Sequence, residues 1–256
     1  MVTCLSVLTR LETLQLDFES SQSHPDRRSR RSHLPTRIIL PVLCQLCFKG
    51  VREYLEVLVT RIDAPLLDTL EITLLHEPII DTPQLTQLIS RTPIFEALDK
   101  AVVESFNPSR EVSVTLRRAF YKAFKLGISY DQSALQLSSL AELCSSFPQG
   151  HIPAVEHLYI TGDELWHWQD VIEKRQWLDL LRPFNAVKSL YICQEASPHI
   201  FPALQELVGE RVTEVLPALQ TLFFRGTPSR TVQERIEQFF SARQLSIHSI
   251  AISCWE

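Results

Sequence analysis

Six stretches of this chain repeat one phrase: an apolar residue, two variable residues, a leucine, one variable residue and a further apolar one. The copies are Leu11-Glu-Thr-Leu14-Gln-Leu16, Leu43-Cys-Gln-Leu46-Cys-Phe48, Leu67-Asp-Thr-Leu70-Glu-Ile72, Val155-Glu-His-Leu158-Tyr-Ile160, Val187-Lys-Ser-Leu190-Tyr-Ile192 and Leu219-Gln-Thr-Leu222-Phe-Phe224. The last three begin at 155, 187 and 219, a constant step of 32. A weaker copy, Phe95-Glu-Ala-Leu98-Asp-Lys100, fails at its last position, and Ile247-His-Ser-Ile250-Ala-Ile252 reads as a final one. Apolar alternation over so short a span is the period of a half-buried strand. Units stepped by about 20 to 32 residues, each with one strand and one helical segment, stack side by side because no unit can bury its apolar face alone.

The intervals carry helical spacing. Val51, Leu55, Leu58 and Ile62 share one face of 51–62, and Leu85, Leu88 and Ile89 share one face of 81–91. Similar stripes run through 133–147, 168–182, 199–215 and 231–243, the last with Val232, Ile236, Phe239 and Phe240 turned to the core. Asp81-Thr82-Pro83 predicts a capped helix start with proline in the first turn, and Thr231 predicts another cap. Prolines precede the strands at 41, 65, 93, 153 and 217, where a strand entry tolerates a missing donor. Between 95 and 155 the period breaks. Lys100–Phe106, Val112–Leu116 and Phe124–Tyr130 read as strands, either of degenerate repeats or of a small antiparallel insertion. The fold expected is an α/β leucine-rich-repeat solenoid over 1–256. Parallel strands line its concave face, helices its convex face, and an irregular centre lies near 100–130. Segment 19–37 reads as a solvated Arg-rich loop, the sharper alternative being a nuclear-import patch or anionic docking loop.

Composition narrows the function. No run of eighteen apolar residues occurs, so no membrane span is expected, and a net charge of −5 argues against general nucleic-acid binding. The start lacks the pattern of a secretory signal, so the six scattered cysteines are expected as reduced, mostly buried thiols in the cytoplasm or nucleus. Six glycines, none in a phosphate-binding cluster, weigh against nucleotide enzymes. Cys44-Gln-Leu-Cys47 has half of a zinc spacing, but no second pair follows, and alternating pleat sides disfavour chelation. Glu164, His167 and the neighbouring tryptophans Trp166 and Trp168 read as a helix entrance. No catalytic residue, metal or cofactor is expected, and an enzyme of unspecified type is the remote alternative.

In a strand whose apolar positions point inward, the residues between point outward. Aligning the last three copies gives the row Tyr159, Tyr191, Phe223, flanked by His157, Ser189, Thr221 and by Thr161, Cys193, Arg225. An aromatic row on an open face resembles the anchors of protein interfaces, whereas the plain alternative is cross-strand packing. The candidate binding residues are therefore His157, Tyr159, Thr161, Ser189, Tyr191, Thr221, Phe223 and Arg225. In the first half the matching positions, such as Thr13, Gln15, Gln45 and Thr69, are small and polar.

The stretches PVLCQLCFKGVREYLEVLVTRIDAPLLDTLEITL (41–74), DTPQLTQLISRTPIFEALDKA (81–101), LLRPFNAVKSLYICQEASPHIFPALQELVGERVTEVLPALQTLFF (180–224) and QFFSARQLSIHSIAISCW (238–255) resemble the leucine-rich-repeat region of F-box-like fungal proteins. The resemblance implies a substrate-binding repeat region of a ubiquitin ligase subunit. Its protein partner is not specified by the sequence. A cullin-type adaptor is expected only where an F-box lies upstream, since ten residues before the first strand are too few for one and no Leu-Pro-x-Glu start occurs. A constitutive repeat scaffold without a ubiquitin link is the alternative.

Overall fold

Each repeated phrase becomes a strand because its alternation presents one apolar edge to a common core. The computed structural model describes residues 10–18, 37–75, 82–92, 98–106, 111–118, 121–129, 133–147, 154–162, 173–207, 211, 213–225 and 230–243. Its strands are β1 (Thr13–Asp17), β2 (Ile38–Ile39), β3 (Gln45–Gly50), β4 (Ile62–Asp63), β5 (Thr69–Leu75), β6 (Lys100–Phe106), β7 (Glu111–Arg118), β8 (Tyr121–Ser129), β9 (His157–Gly162), β10 (Ser189–Cys193) and β11 (Thr221–Arg225). The helices are α1 (Arg52–Arg61), α2 (Pro83–Ser90), α3 (Ser133–Ser146), α4 (Lys174–Leu181), α5 (Ser197–Leu204) and α6 (Arg230–Arg243). The fold is mixed α/β with one large, mostly parallel sheet.

That sheet has nine strands in the order β1-β3-β5-β8-β7-β6-β9-β10-β11, with β2 and β4 forming a separate short parallel pair. The departure from parallel pairing lies at the centre, where the sequence left degenerate repeats and an antiparallel insertion both open. The central strands β6, β7 and β8 form an antiparallel meander, with β5 parallel to β8 and β6 parallel to β9. Because β6 and β8 run the same way as the repeats, only β7 points backwards. The irregular centre is thus an antiparallel insertion, an alternative that β-branched composition alone left open.

Register carries the repeat through this insertion. One buried row crosses all nine strands as Leu14, Leu46, Leu70, Phe124, Leu116, Ala101, Leu158, Leu190 and Leu222. A second row runs through Leu16, Phe48, Ile72, Leu126, Val114, Val103, Ile160, Ile192 and Phe224. Their alignment corrects the weak copy at 95. Leu98 stands where Val155 stands, and Ala101 and Val103 stand where Leu158 and Ile160 stand. The copy therefore begins at Leu98, three residues later than its leucine suggested, with alanine replacing the central leucine.

The strand entries repeat in detail. The N–H of Leu43, Leu67, Val187 and Leu219 donates to the carbonyl three residues back, at Leu40, Ala64, Phe184 and Leu216. Pro41, Pro65 and Pro217 occupy the second position of these turns, where a fixed φ suits the turn and no ladder donor is needed. The residue just before each strand then accepts two N–H bonds from the next unit. Glu12 O receives Cys44 and Gln45, Asp99 O receives Glu156 and His157, and Lys188 O receives Gln220 and Thr221.

Leu55, Leu58, Leu85, Leu88, Ile89, Val232, Ile236, Phe239 and Phe240 join the sheet rows in a single core, as their spacing predicts, whereas Val51 stands half-buried at the start of α1 outside that core and Ile62 enters it from β4. Two caps differ from expectation. Thr82 precedes α2 but makes no side-chain cap, and Thr231 lies inside α6 instead of before it. The start of α2 is capped from α1: the N–H groups of Gln84 and Leu85 donate to Glu56 at 3.0 and 3.1 Å. In return Arg91 Nη2 donates to Val59 O and Ile62 O, closing the end of α1. A carboxylate reaching a neighbouring helix start meets the positive end of its dipole, so the two helices clasp each other. Beyond the first repeats, Lys174–Glu206 at 2.8 Å and Arg182–Glu214 at 3.0 Å pair residues 32 positions apart. Residues 19–36, the segment with Glu164, Trp166, His167 and Trp168, and the copy at 247–252 lie outside the described residues.

Candidate functional site

The outer positions of β9, β10 and β11 fall into register as the alignment of copies anticipates: His157 with Ser189 and Thr221, and Tyr159 with Tyr191 and Phe223. Strands about 4.8 Å apart bring equivalent side chains within stacking range. The rings of Tyr159 and Tyr191 stack at 4.2 Å between centroids and 6° between planes. Tyr191 and Phe223 stack at 4.4 Å and 8°. His157 lies against Tyr191, tilted, at 6.3 Å. Tyr159, Tyr191 and Phe223 are all half-buried.

Stacking consumes the ring faces. What the ladder presents is ring edge and phenol, with the outer face of Phe223 as the exception. Platforms for nucleobases need open faces, so this geometry disfavours that chemistry and suits contact with protein side chains. Burial, then the neighbouring Tyr191 phenol and its hydrogen bond, push the Tyr159 hydroxyl up to about 12. It is a neutral donor or acceptor at physiological pH.

The flanking rows differ from each other. His157, Ser189 and Thr221 remain half-exposed beside the ladder. In the other row Thr161 Oγ1 turns back to Val103 O at 3.5 Å, and Cys193 is buried. Burial raises the Cys193 thiol to about 11, so it stays protonated. Only Arg225 of that row is exposed. Thus the eight candidate residues share one surface, but Thr161 is partly withdrawn from it.

A second feature of this face escapes the repeat alignment because it stands on the insertion. Glu111 lies across Gly127 and reaches Lys125, with Nζ 2.7 Å from Oε1. The same carboxylate oxygen has no well-directed hydrogen bond, so the contact is ionic more than directional. Beside it Ser113 and Thr115 are fully buried, and neither hydroxyl has a hydrogen-bond partner among the described residues. Strand β7 is therefore closed on both sides, unlike the repeats that flank it. The alternation Glu111, Ser113, Thr115 was visible in the sequence, but nothing there placed Gly127 under the carboxylate.

Elsewhere on this face Asp17 pairs with Lys49 at 4.0 Å and Glu104 with Arg117 at 3.8 Å. Cys44 precedes β3 and directs its thiol to Val42 O, whereas Cys47 receives Gln45 Nε2. The four described cysteines form no disulfide among themselves, and the described residues hold no group of three or more His, Cys, Asp or Glu able to bind a metal. No described helix is long and apolar enough to cross a membrane. Comparison with family models, curated proteins and solved structures finds no match for this chain.

Proposed function

We propose that this chain is a non-catalytic protein-recognition module of leucine-rich-repeat type. By its resemblance it is the substrate-binding region of an F-box-type ubiquitin ligase subunit. The observation that carries the reading is the stacked ladder Tyr159–Tyr191–Phe223, set on outer sheet positions and flanked by half-exposed small polar residues. Aromatic side chains give large contact area at low entropic cost, and stacking removes what rotamer freedom they had before a partner arrives. Such pre-organisation serves binding and has no role in bond-making.

The test is affinity purification of the chain from its own cells, read by mass spectrometry, beside a Thr221→Tyr variant. Thr221 is half-exposed next to the ladder, and tyrosine suits a strand, so the fold is retained while the surface is blocked. Partners captured by the parent and lost with Thr221→Tyr at unchanged melting temperature are the expected result. Partners captured equally by both place recognition elsewhere. A cullin and its adaptor among the captured proteins support the ligase reading, and their absence removes it while leaving the recognition module.

A further inference from the structure

We propose that the open side of β1 is an interface between two copies of this chain, joined antiparallel across a two-fold axis at Gln15. Among the described residues β1 pairs with β3 alone, and β11, at the other end of the sheet, with β10 alone. The two ends differ in how well the core is covered. On β11 the inward Leu222 and Phe224 are each 1% exposed, whereas on β1 Leu14 keeps 8% and Leu16 is only half-buried. Six described apolar residues pack on the core without being buried in it. Of these, Leu11, Leu16, Phe18 and Ile38 belong to the first repeat, and Tyr54 stacks on Phe18 at 5.1 Å. A repeat array needs its terminal core covered. The strand at this end, TLQLD, carries neither the proline nor the lysine that commonly blunts an edge.

Backbone direction shows which groups this edge offers. Glu12 O accepts from Cys44 and Gln45, and Phe18 N–H donates to Lys49 O, so the even-numbered residues face β3. In an extended strand the N–H and C=O of alternate residues point to opposite sides, which turns those of Thr13, Gln15 and Asp17 to the open side. A second copy meets them in kind. With the axis at Gln15, the two Gln15 residues exchange both bonds, and Thr13 exchanges both with Asp17 of the second copy. A two-fold contact is self-complementary, so the Asp17–Thr13 exchange repeats on the other side of the axis. The axis stands perpendicular to the sheet and keeps both cores on one side. Leu14 then faces Leu16 of the second copy, and the buried rows run on through the joint. Charge does not oppose the pairing. Asp17, held by Lys49 at 4.0 Å, comes opposite Thr13, and exposed Glu12 comes opposite Phe18. Arg52 and Glu53 at the start of α1 pair with each other at 3.5 Å, and Arg10 lies beyond the paired stretch. Because the aromatic ladder sits on β9 to β11 at the far end of the sheet, the dimer carries two ladders, both uncovered by the joint.

The experiment is sedimentation equilibrium of the full chain over micromolar concentrations, repeated on Gln15→Pro. Expected is a reversible monomer–dimer equilibrium that Gln15→Pro weakens about tenfold or more, since each copy loses one donor at the axis. Proline is tolerated on an edge strand whose N–H faces outward, so the variant should keep the parent's circular dichroism. Thr13→Cys and Asp17→Cys give a second reading. Under mild oxidation each alone should form no more disulfide dimer than the parent. An equal mixture should cross-link, because the two positions face each other across hydrogen-bonded pairs about 5.5 Å apart. A chain that stays monomeric at every concentration overturns the proposal, as does a dimer whose affinity survives Gln15→Pro unchanged. Cross-linking no stronger in the mixture than in either variant alone does the same. Growth past the dimer overturns the two-fold pairing too, since β1 on β11 of a neighbour would be a head-to-tail contact.

Discussion

Replacing Gly127 by alanine isolates the Glu111–Lys125 contact that the insertion builds on the outer face. A Cβ at this position would lie 2.5 Å from Glu111 Oε1, 2.8 Å from its Cδ and 3.2 Å from its Cγ. No real Cβ tolerates the first two distances, so Glu111 must swing away and release Lys125. The side chains of the pair are 11% and 18% exposed respectively for Glu111 and Lys125, which makes the loss a nearly buried one. Breaking a buried pair costs about 3–5 kcal/mol, and residual exposure selects the lower end. The backbone at Gly127 is not left-handed, so the exchange also returns about 0.4–1 kcal/mol of unfolded-state entropy. The net expectation is a loss of about 2 kcal/mol, equivalent to a fall of about 4–8 °C in melting temperature for a chain of this size. Urea denaturation followed by circular dichroism measures it, with Glu111→Ala as the second arm of a double-mutant cycle. In the Glu111→Ala background alanine at 127 should be neutral or slightly stabilising. An equal loss in both backgrounds would refute the reasoning, since the clash would then involve something other than Glu111.

Leu190 is fully buried at the middle of the β9–β11 rows, whereas Leu14 lies on edge strand β1 and keeps 8% of its exposure. Leu190→Ala should therefore cost about 2–5 kcal/mol and Leu14→Ala distinctly less, and equal losses in a melting assay would contradict the shared-core register. Tyr159 should titrate late: its folded value of about 12 lies above the ordinary 10, so the neutral form is the favoured one in the fold. That contribution is complete below pH 10 and is lost as pH rises toward 12. Ultraviolet titration should show a tyrosinate that forms last, and a full set of normal tyrosines would exclude the stacked, bonded pair. Tyr191 also answers differently from what an isolated surface ring would: removing it strips two stacked contacts worth about 0.5–1.5 kcal/mol each. Tyr191→Ala should hence lower the melting temperature as well as binding, whereas Tyr191→Phe keeps the stack and tests the hydroxyl alone.

How far the sequence was legible depends on what each element rests on. The six full copies of the phrase were readable because their buried residues are leucine, isoleucine, valine or phenylalanine at fixed intervals, and burial of a local alternation needs no distant information. The same holds for the helical stripes and for the row Tyr159, Tyr191, Phe223, which follows once equal phrases pair in equal register. The copy at Leu98 was misplaced because alanine fills its central position. Only its neighbour β9 shows that Ala101 stands where a leucine otherwise would. Caps were misassigned for a related reason: Thr82 has the right local chemistry, but Glu56, 28 residues away, reaches the helix start first.

By itself, then, the amino-acid order determined the parallel repeats and the aromatic ladder, since both arise from short-range alternation and from the 32-residue identity of the last copies. Tertiary structure alone decided that three central strands enter the sheet as a meander, because β propensity is indifferent to the direction of the partner strand. It alone decided, too, which outer residues stay available. Cys193 and Thr161 share the parity of Arg225, yet the first is buried and the second turns to the Val103 carbonyl of the neighbouring strand, while Arg225 remains in solvent.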